Sequence, residues 1–281
     1  MNTVKTAMLM GALVGVFMLF GQVLGGQSGM IIALVIAGGM NFFMYWFSDT
    51  IVLKRYGAEE IPEEEAPQLH RVVGRLAEKA GIPKPDVYRI PEAQPNAFAT
   101  GRNPANAAIA VTDGIMDMLS EDELEGVLAH ELSHVMNRDT LISTLAATMA
   151  GAISYLAFFA RLGALFGIGG RNRDGNLLVL LVSAILAPII AAVIQMAISR
   201  SREFKADKSG AEISGKPMAL AGALKKLHQS AEARPMQNAD KQTANLFIVN
   251  PLSMDSVSSW FSTHPSVEDR VDQLEKIARG L

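Results

Sequence analysis

The sequence predicts an α+β protein, mainly helical, in which four transmembrane helices in two hairpins carry a cytoplasmic domain with a small sheet. Three observations lead there. No Asp, Glu, Lys or Arg occurs from Thr6 to Ser48, two further apolar blocks follow residue 140, and polar, motif-bearing stretches lie between and after them. Charged residues make up 19% of the chain against a typical ~25%. Twenty-five basic and 28 acidic side chains leave a net charge of −3, without the basic excess that nucleic-acid binding needs. Zero cysteines exclude disulfides, thiolate zinc sites and a cysteine nucleophile, so metal ligands must be His or carboxylate.

The first apolar run is too long for one ~20-residue span and is broken midway by Leu24-Gly-Gly-Gln-Ser-Gly29. It reads as two spans joined by a tight outer turn. A cleaved signal peptide is the alternative, but no convincing A-x-A site follows a short apolar core and a second span comes at once. Tyr45 and Trp46 end the second span as interfacial aromatics. Lys54 and Arg55 follow it as Lys5 precedes the first, which places both ends of the hairpin in the cytoplasm.

Glu59-Glu-Ile-Pro-Glu-Glu-Glu-Ala-Pro67 reads as a solvated linker into a soluble region. Leu69, Val72, Val73 and Leu76 then keep helical spacing up to a stop at Gly81. Strand-like runs at Asp86–Ile90, Asn96–Thr100 and Ala107–Thr112 predict a sheet of about three strands.

Ser120-Glu-Asp-Glu123 has the form of a capping box, opening a helix with Leu124, Val127, Leu128 and Val135 on its apolar side. On that helix lies His130-Glu-Leu-Ser-His134. Residues four apart are separated by about 40° around the axis, so both imidazoles reach one ion while Glu131, offset by about 100°, lies beside them. Two neutral imidazoles suit Zn²⁺, and an unligated carboxylate can take a proton from water that the metal acidifies towards a pKa of ~7. The alternative, two His and a Glu lining a core helix without a partner, would be costly.

A second apolar block runs from Leu141 to Gly170 with Arg161 inside it, and another from Asn176 to Ser199, interrupted by Pro188 and Gln195. Each is long enough to cross a bilayer. Arg171 and Arg173 in the loop between them argue mildly against placing that loop outside, so a buried or shallowly inserted helical hairpin stays open.

A catalytic zinc needs a third protein ligand, and no HxxGxxH extension follows His134. The best candidate lies in Ser199-Arg-Ser-Arg-Glu-Phe-Lys-Ala-Asp207, where Glu203 and Asp207 again stand four apart. Glu203 would ligate while Asp207 hydrogen-bonds the free nitrogen of a zinc-bound His. The alternative is a solvated face on which both pair with local Arg and Lys. Asp139 and Arg202, within a turn or two of the ligands, are weaker candidates for support of the site. If His134 and Glu203 meet, the chain between them crosses the membrane an even number of times. The expected division is a hairpin over 1–53, a first catalytic part over 54–140, a second hairpin over 141–199 and a second catalytic part over 200–281.

With both halves of the site placed, the chain resembles the HtpX family of heat-shock-associated membrane zinc endopeptidases, distant relatives of the CAAX prenyl proteases. The likeness runs through the two N-terminal spans, Asn96-Ala-Phe-Ala99, His130 to Asp139, Ser199 to Asp207, and Ser262-Thr-His-Pro-Ser266. It implies a zincin-like (gluzincin) domain with one Zn²⁺ per chain held by His130, His134 and Glu203, and Glu131 as general base. It also implies a multi-pass protein of the bacterial cytoplasmic (inner) membrane with its active site in the cytoplasm. Its substrates would be misfolded or damaged membrane proteins, cut in the service of quality control and the stress response.

Asn96, Ala97, Phe98 and Ala99 resemble the edge strand on which such enzymes align an extended substrate, against the alternative of an ordinary strand end. His264 lies in a polar loop where a donor would stabilise a tetrahedral oxyanion, as the resemblance implies, or it is simply solvated. Two other classes compete. A metal-stabilised membrane scaffold or chaperone adaptor would not need the intact Glu131. A transporter would want charges inside the apolar blocks, where Arg161 stands alone.

Overall fold

The computed structural model describes residues 2–150, 200–233, 236, 243–251 and 265–280. Most of the apolar block 141–170, all of the block 176–199 and His264 therefore lie outside the described residues.

The chain opens with α1 (Asn2–Arg55), which is helical except at Gly25 and Gly26, where it turns back. Gly26 has a φ of +58, a left-handed value that costs glycine nothing. A Cβ on Gly21 would stand 2.3 Å from the Gly29 carbonyl oxygen, and only glycine pairs let the two arms come so close. Leu9 and Leu13 of one arm pack with Met44 of the other, and Asn41 Nδ2 donates to the Met10 carbonyl at 3.0 Å. Among the described residues, Gly25–Arg55 is the one helix long and apolar enough to cross a membrane. Val4–Leu19 is apolar but shorter, roughly 24 Å at 1.5 Å per residue.

Four strands form the sheet, in the order β1-β2-β4-β3, from β1 (Glu59–Glu60), β2 (Asp86–Ile90), β3 (Ala97–Asn103) and β4 (Asn106–Thr112). The expected linker thus supplies a fourth strand: Glu59 and Glu60 pair antiparallel with Arg89 and Tyr88. Two exposed glutamates leave no alternation to read, so only the pairing reveals them. β2 runs parallel to β4, while β3 and β4 form a hairpin that leaves β3 on the edge.

Helix α2 (Pro67–Ala80) starts with proline in its first turn and stops at left-handed Gly81, as its apolar spacing and stop signal predict. After the short α3 (Asp113–Met118), α4 (Glu121–Met136) begins on the expected capping box, with the Ser120 and Glu123 side chains each bonding the other's backbone. Val127, Leu128, Ala129, Leu132 and Val135 are fully buried because α4 lies between the sheet and three helices: α2, α6 (Arg200–Ser214) and α7 (Pro217–Ala233). A further helical stretch, α5 over 139–150, follows α4 at once and packs its Leu145, Ala146 and Met149 on α1. The last helix is α8 (Val267–Ala278), capped by Ser266, whose side chain accepts from Asp269 N.

Candidate metal centre

Helices α4 and α6 bring the two halves of the site together. Gly210 of α6 is the contact point: a Cβ there would meet the His130 backbone at 2.9 and 3.0 Å. That approach sets Glu203, two turns earlier on α6, beside both imidazoles, with its carboxylate oxygens 3.7 Å from His130 Nε2 and 3.6 Å from His134 Nε2. The solvated-face alternative is excluded for Asp207, which is fully buried, and Glu203 is 12% exposed.

The other ring nitrogens are engaged. His130 Nδ1 lies 2.9 Å from Asp207 Oδ1, and His134 Nδ1 lies 3.2 Å from Asp139 Oδ2. These two carboxylates orient the rings so that both Nε2 atoms face one point. Asp139 returns to His134 through Arg138, whose φ of +57 is the one left-handed non-glycine value among the described residues. Such strain persists where surrounding contacts over-determine it.

The donor set fits a zinc ion. Nitrogens about 2.0–2.1 Å from a tetrahedral zinc stand about 3.3 Å apart. His130 Nε2 and His134 Nε2 are 3.2 Å apart, and one donor atom from each of His130, His134 and Glu203 lies within 4.8 Å of the others. Charge agrees with geometry. With both imidazoles neutral, as metal ligation requires, four carboxylates (Glu131, Asp139, Glu203, Asp207) face two guanidinium groups (Arg202, Arg270), an excess of two negative charges that a divalent cation cancels.

Arg270 is the residue that sequence reading missed. Although 1% exposed, it donates to Asp207 through both Nε (2.8 Å) and Nη2 (2.7 Å), and its Nη1 reaches the Ile248 carbonyl at 3.2 Å. The signal was present: Val267, Arg270, Val271 and Leu274 share one face of α8, and a charge on an apolar stripe implies a buried partner. Arg270 and its other contacts hold the Asp207 carboxyl down at about 2 against the upward push of burial. Burial and Arg270 press His130 down, yet its hydrogen bonds to Asp207 and Glu203 carry it up to about 9. Burial raises Glu131, whose Oε2 accepts from Ala99 N at 2.9 Å.

Arg202 sits close, with Nη1 3.8 Å from Asp139 Oδ1, and among the described residues neither terminal nitrogen has a hydrogen-bond partner. Of the expected edge residues, Ala97, Phe98 and Ala99 lie on edge strand β3. Phe98 turns away from the ligands into a cluster with Tyr56 and Phe247. Asn96 is buried and donates its Nδ2 to the Val249 carbonyl at 3.0 Å.

Comparison with known proteins bears on this centre. Residues 63–278 match the model of peptidase family M48. The chain is 55% identical over 279 residues to a protein named "Protease HtpX homolog" from Pyrococcus furiosus, covering 99% of this chain and 96% of the relative. It is 54% identical over 283 residues to a Burkholderia thailandensis protein of the same name, covering 99% and 98%. Its fold is similar to the crystal structure of Ste24p from S. mikatae, with a TM-score of 0.54 at 18% identity, covering 98% of this chain and 65% of that one.

Proposed function

The chain belongs to peptidase family M48 and is a metallopeptidase, and from that premise we propose a membrane-embedded zinc endopeptidase that uses His130, His134 and Glu203 as ligands and Glu131 as general base. The observation that carries it is the convergence of three donors on one point, with Glu131 on the adjacent helical position and aimed at edge strand β3. Zinc, when bound, supplies Lewis acidity that polarises a peptide carbonyl and acidifies water. Glu131 takes the proton of the attacking water at a carboxylate oxygen and delivers it to the leaving amine. Its burial favours the protonated form after the first transfer. Asp207 and Asp139 keep the two imidazoles in the tautomer that leaves Nε2 free.

The substrates we assign are unfolded or damaged membrane proteins, cut on the cytoplasmic side. Support comes from α1, where Ile31, Ile32, Val35, Phe42 and Phe43 are more than half exposed and Lys54 and Arg55 close the helix. Arg102, at the end of β3, stacks over Trp46 of α1 at 4.7 Å, so the sheet stands at the level of the interfacial aromatics.

The test is zinc content and casein hydrolysis of detergent-purified wild type, Glu131→Gln and Glu203→Ala. One zinc per chain in wild type and Glu131→Gln, cleavage in wild type alone, and weakened zinc in Glu203→Ala are expected. Full zinc and activity in Glu203→Ala would place the third ligand elsewhere.

A further inference from the structure

An edge strand that aligns an extended substrate offers its outward backbone groups. On β3 four of those groups are already taken. Asn96 O accepts from Thr112 N at 3.0 Å, so Asn96, Phe98 and Thr100 face β4, and Ala97, Ala99 and Gly101 face outward. Ala97 N donates to Asn96 Oδ1 at 3.1 Å, and Ala97 O accepts from Ile248 N at 3.0 Å. Ala99 N donates to Glu131, and Gly101 O accepts from Thr140 Oγ1 at 3.0 Å.

The partner at Ala97 belongs to residues 243–250, a stretch whose regular structure is the single 3-10 turn Ala244–Leu246. Leu246, Phe247 and Ile248 also wall the cavity that holds His130, Glu131, His134 and Glu203. That cavity measures about 30 Å³, room for roughly two or three waters and too small for a peptide segment.

We propose that residues 243–250 are an autoinhibitory strap. The Ile248 main chain occupies the place on β3 that an extended substrate takes, and the strap lifts before a peptide reaches Glu131. This rests on the peptidase reading of the site. Within the strap Leu246 N donates to Thr243 O at 3.0 Å; lifting it breaks its bonds to Ala97, Asn96 and Arg270 and uncovers the buried Phe247, Ile248 and Val249. One of its anchors lies at the foot of the apolar hairpin. The hydroxyls of Thr243 and Tyr56 pair, and the Phe247 ring meets the Tyr56 ring edge-on at 5.0 Å, with Tyr56 immediately after α1.

The double variant Tyr56→Phe/Thr243→Val removes both hydroxyls of that anchor and keeps the rings. In the zinc-loaded full chain in detergent, its kcat/KM for unfolded casein should rise roughly two- to tenfold, the worth of one buried hydrogen bond. An unchanged or lowered kcat/KM at full zinc content overturns the strap. A second readout does not depend on turnover: hydrogen exchange of the 246–249 amides in Glu131→Gln, with and without casein. Faster exchange on adding casein is expected, and unchanged or slower exchange overturns the proposal. A wild type that cleaves casein while both readouts fail refutes the strap and leaves the peptidase assignment standing.

Discussion

Arg270 shows what one buried charge does for this site. Its bidentate bond to Asp207 joins α8 to α6, and Asp207 in turn holds the His130 ring. Replacing Arg270 with Met strands a buried carboxylate, and removing one member of such a pair costs about 3–5 kcal/mol. The expected outcome is a lowered unfolding midpoint in thermal or denaturant scans. Asp207→Asn keeps the shape and removes the charge, so zinc affinity should fall about 10- to 100-fold in a chelator competition. His130 supplies the pH dependence. Its pKa in the metal-free fold, about 9, lies above the ordinary ~6.5, so its protonation stabilises that fold fully below ~6.5, and the contribution is lost as pH rises through about 9. Zinc runs the other way, because it must displace that proton. Zinc affinity should therefore weaken about tenfold for each pH unit below about 9, and chelator titrations across that range check the slope.

At the level of elements, the pairing of α4 with α6 makes the centre, and it depends on Gly210. A methyl there must push His130 and Glu203 apart by tenths of an ångström, since its nearest neighbours are backbone atoms of Ala129 and His130 that have nowhere to go. Gly210→Ala should lower casein hydrolysis by tenfold or more, because small misplacements at a reacting centre are costly. Parallel zinc assays would show weakened binding. The cap of α4 behaves differently, as an exposed local feature. Ser120→Ala should cost about 1 kcal/mol of stability, read from the thermal midpoint, without altering zinc affinity. Both elements differ in legibility. The capping box stood in the sequence as Ser120-Glu-Asp-Glu123, because every partner lies within four residues. Nothing in the spacing named Gly210 as the contact, because its partner is 80 residues away.

For the whole molecule, the central prediction is sidedness. The chain has no cysteine, so single-cysteine variants report position without background. Ser28→Cys, at the turn of α1, should react with an impermeant maleimide from outside the cell. Glu64→Cys, beyond β1, should react only after the membrane is opened. Reaction of both from the same face would overturn the hairpin orientation and the cytoplasmic site together.

What the sequence by itself determined is local or periodic: the Gly-rich break in α1, the stop at Gly81, the cap at Ser120, and the i, i+4 His pair whose helical geometry is the same in any fold. It also offered Glu203 and Asp207, a second i, i+4 pair just past the last apolar block, as partners of the His pair, and the fold brings the four residues together. Only the tertiary structure decided the rest. Glu59 and Glu60 become a strand by pairing with β2, Arg270 becomes a support by reaching Asp207 63 residues away, and residues 243–250 close over β3 through backbone groups that every residue carries. Side-chain type is written in the sequence. A backbone hydrogen bond between distant segments is not, because its donor and acceptor are the same at every position but proline.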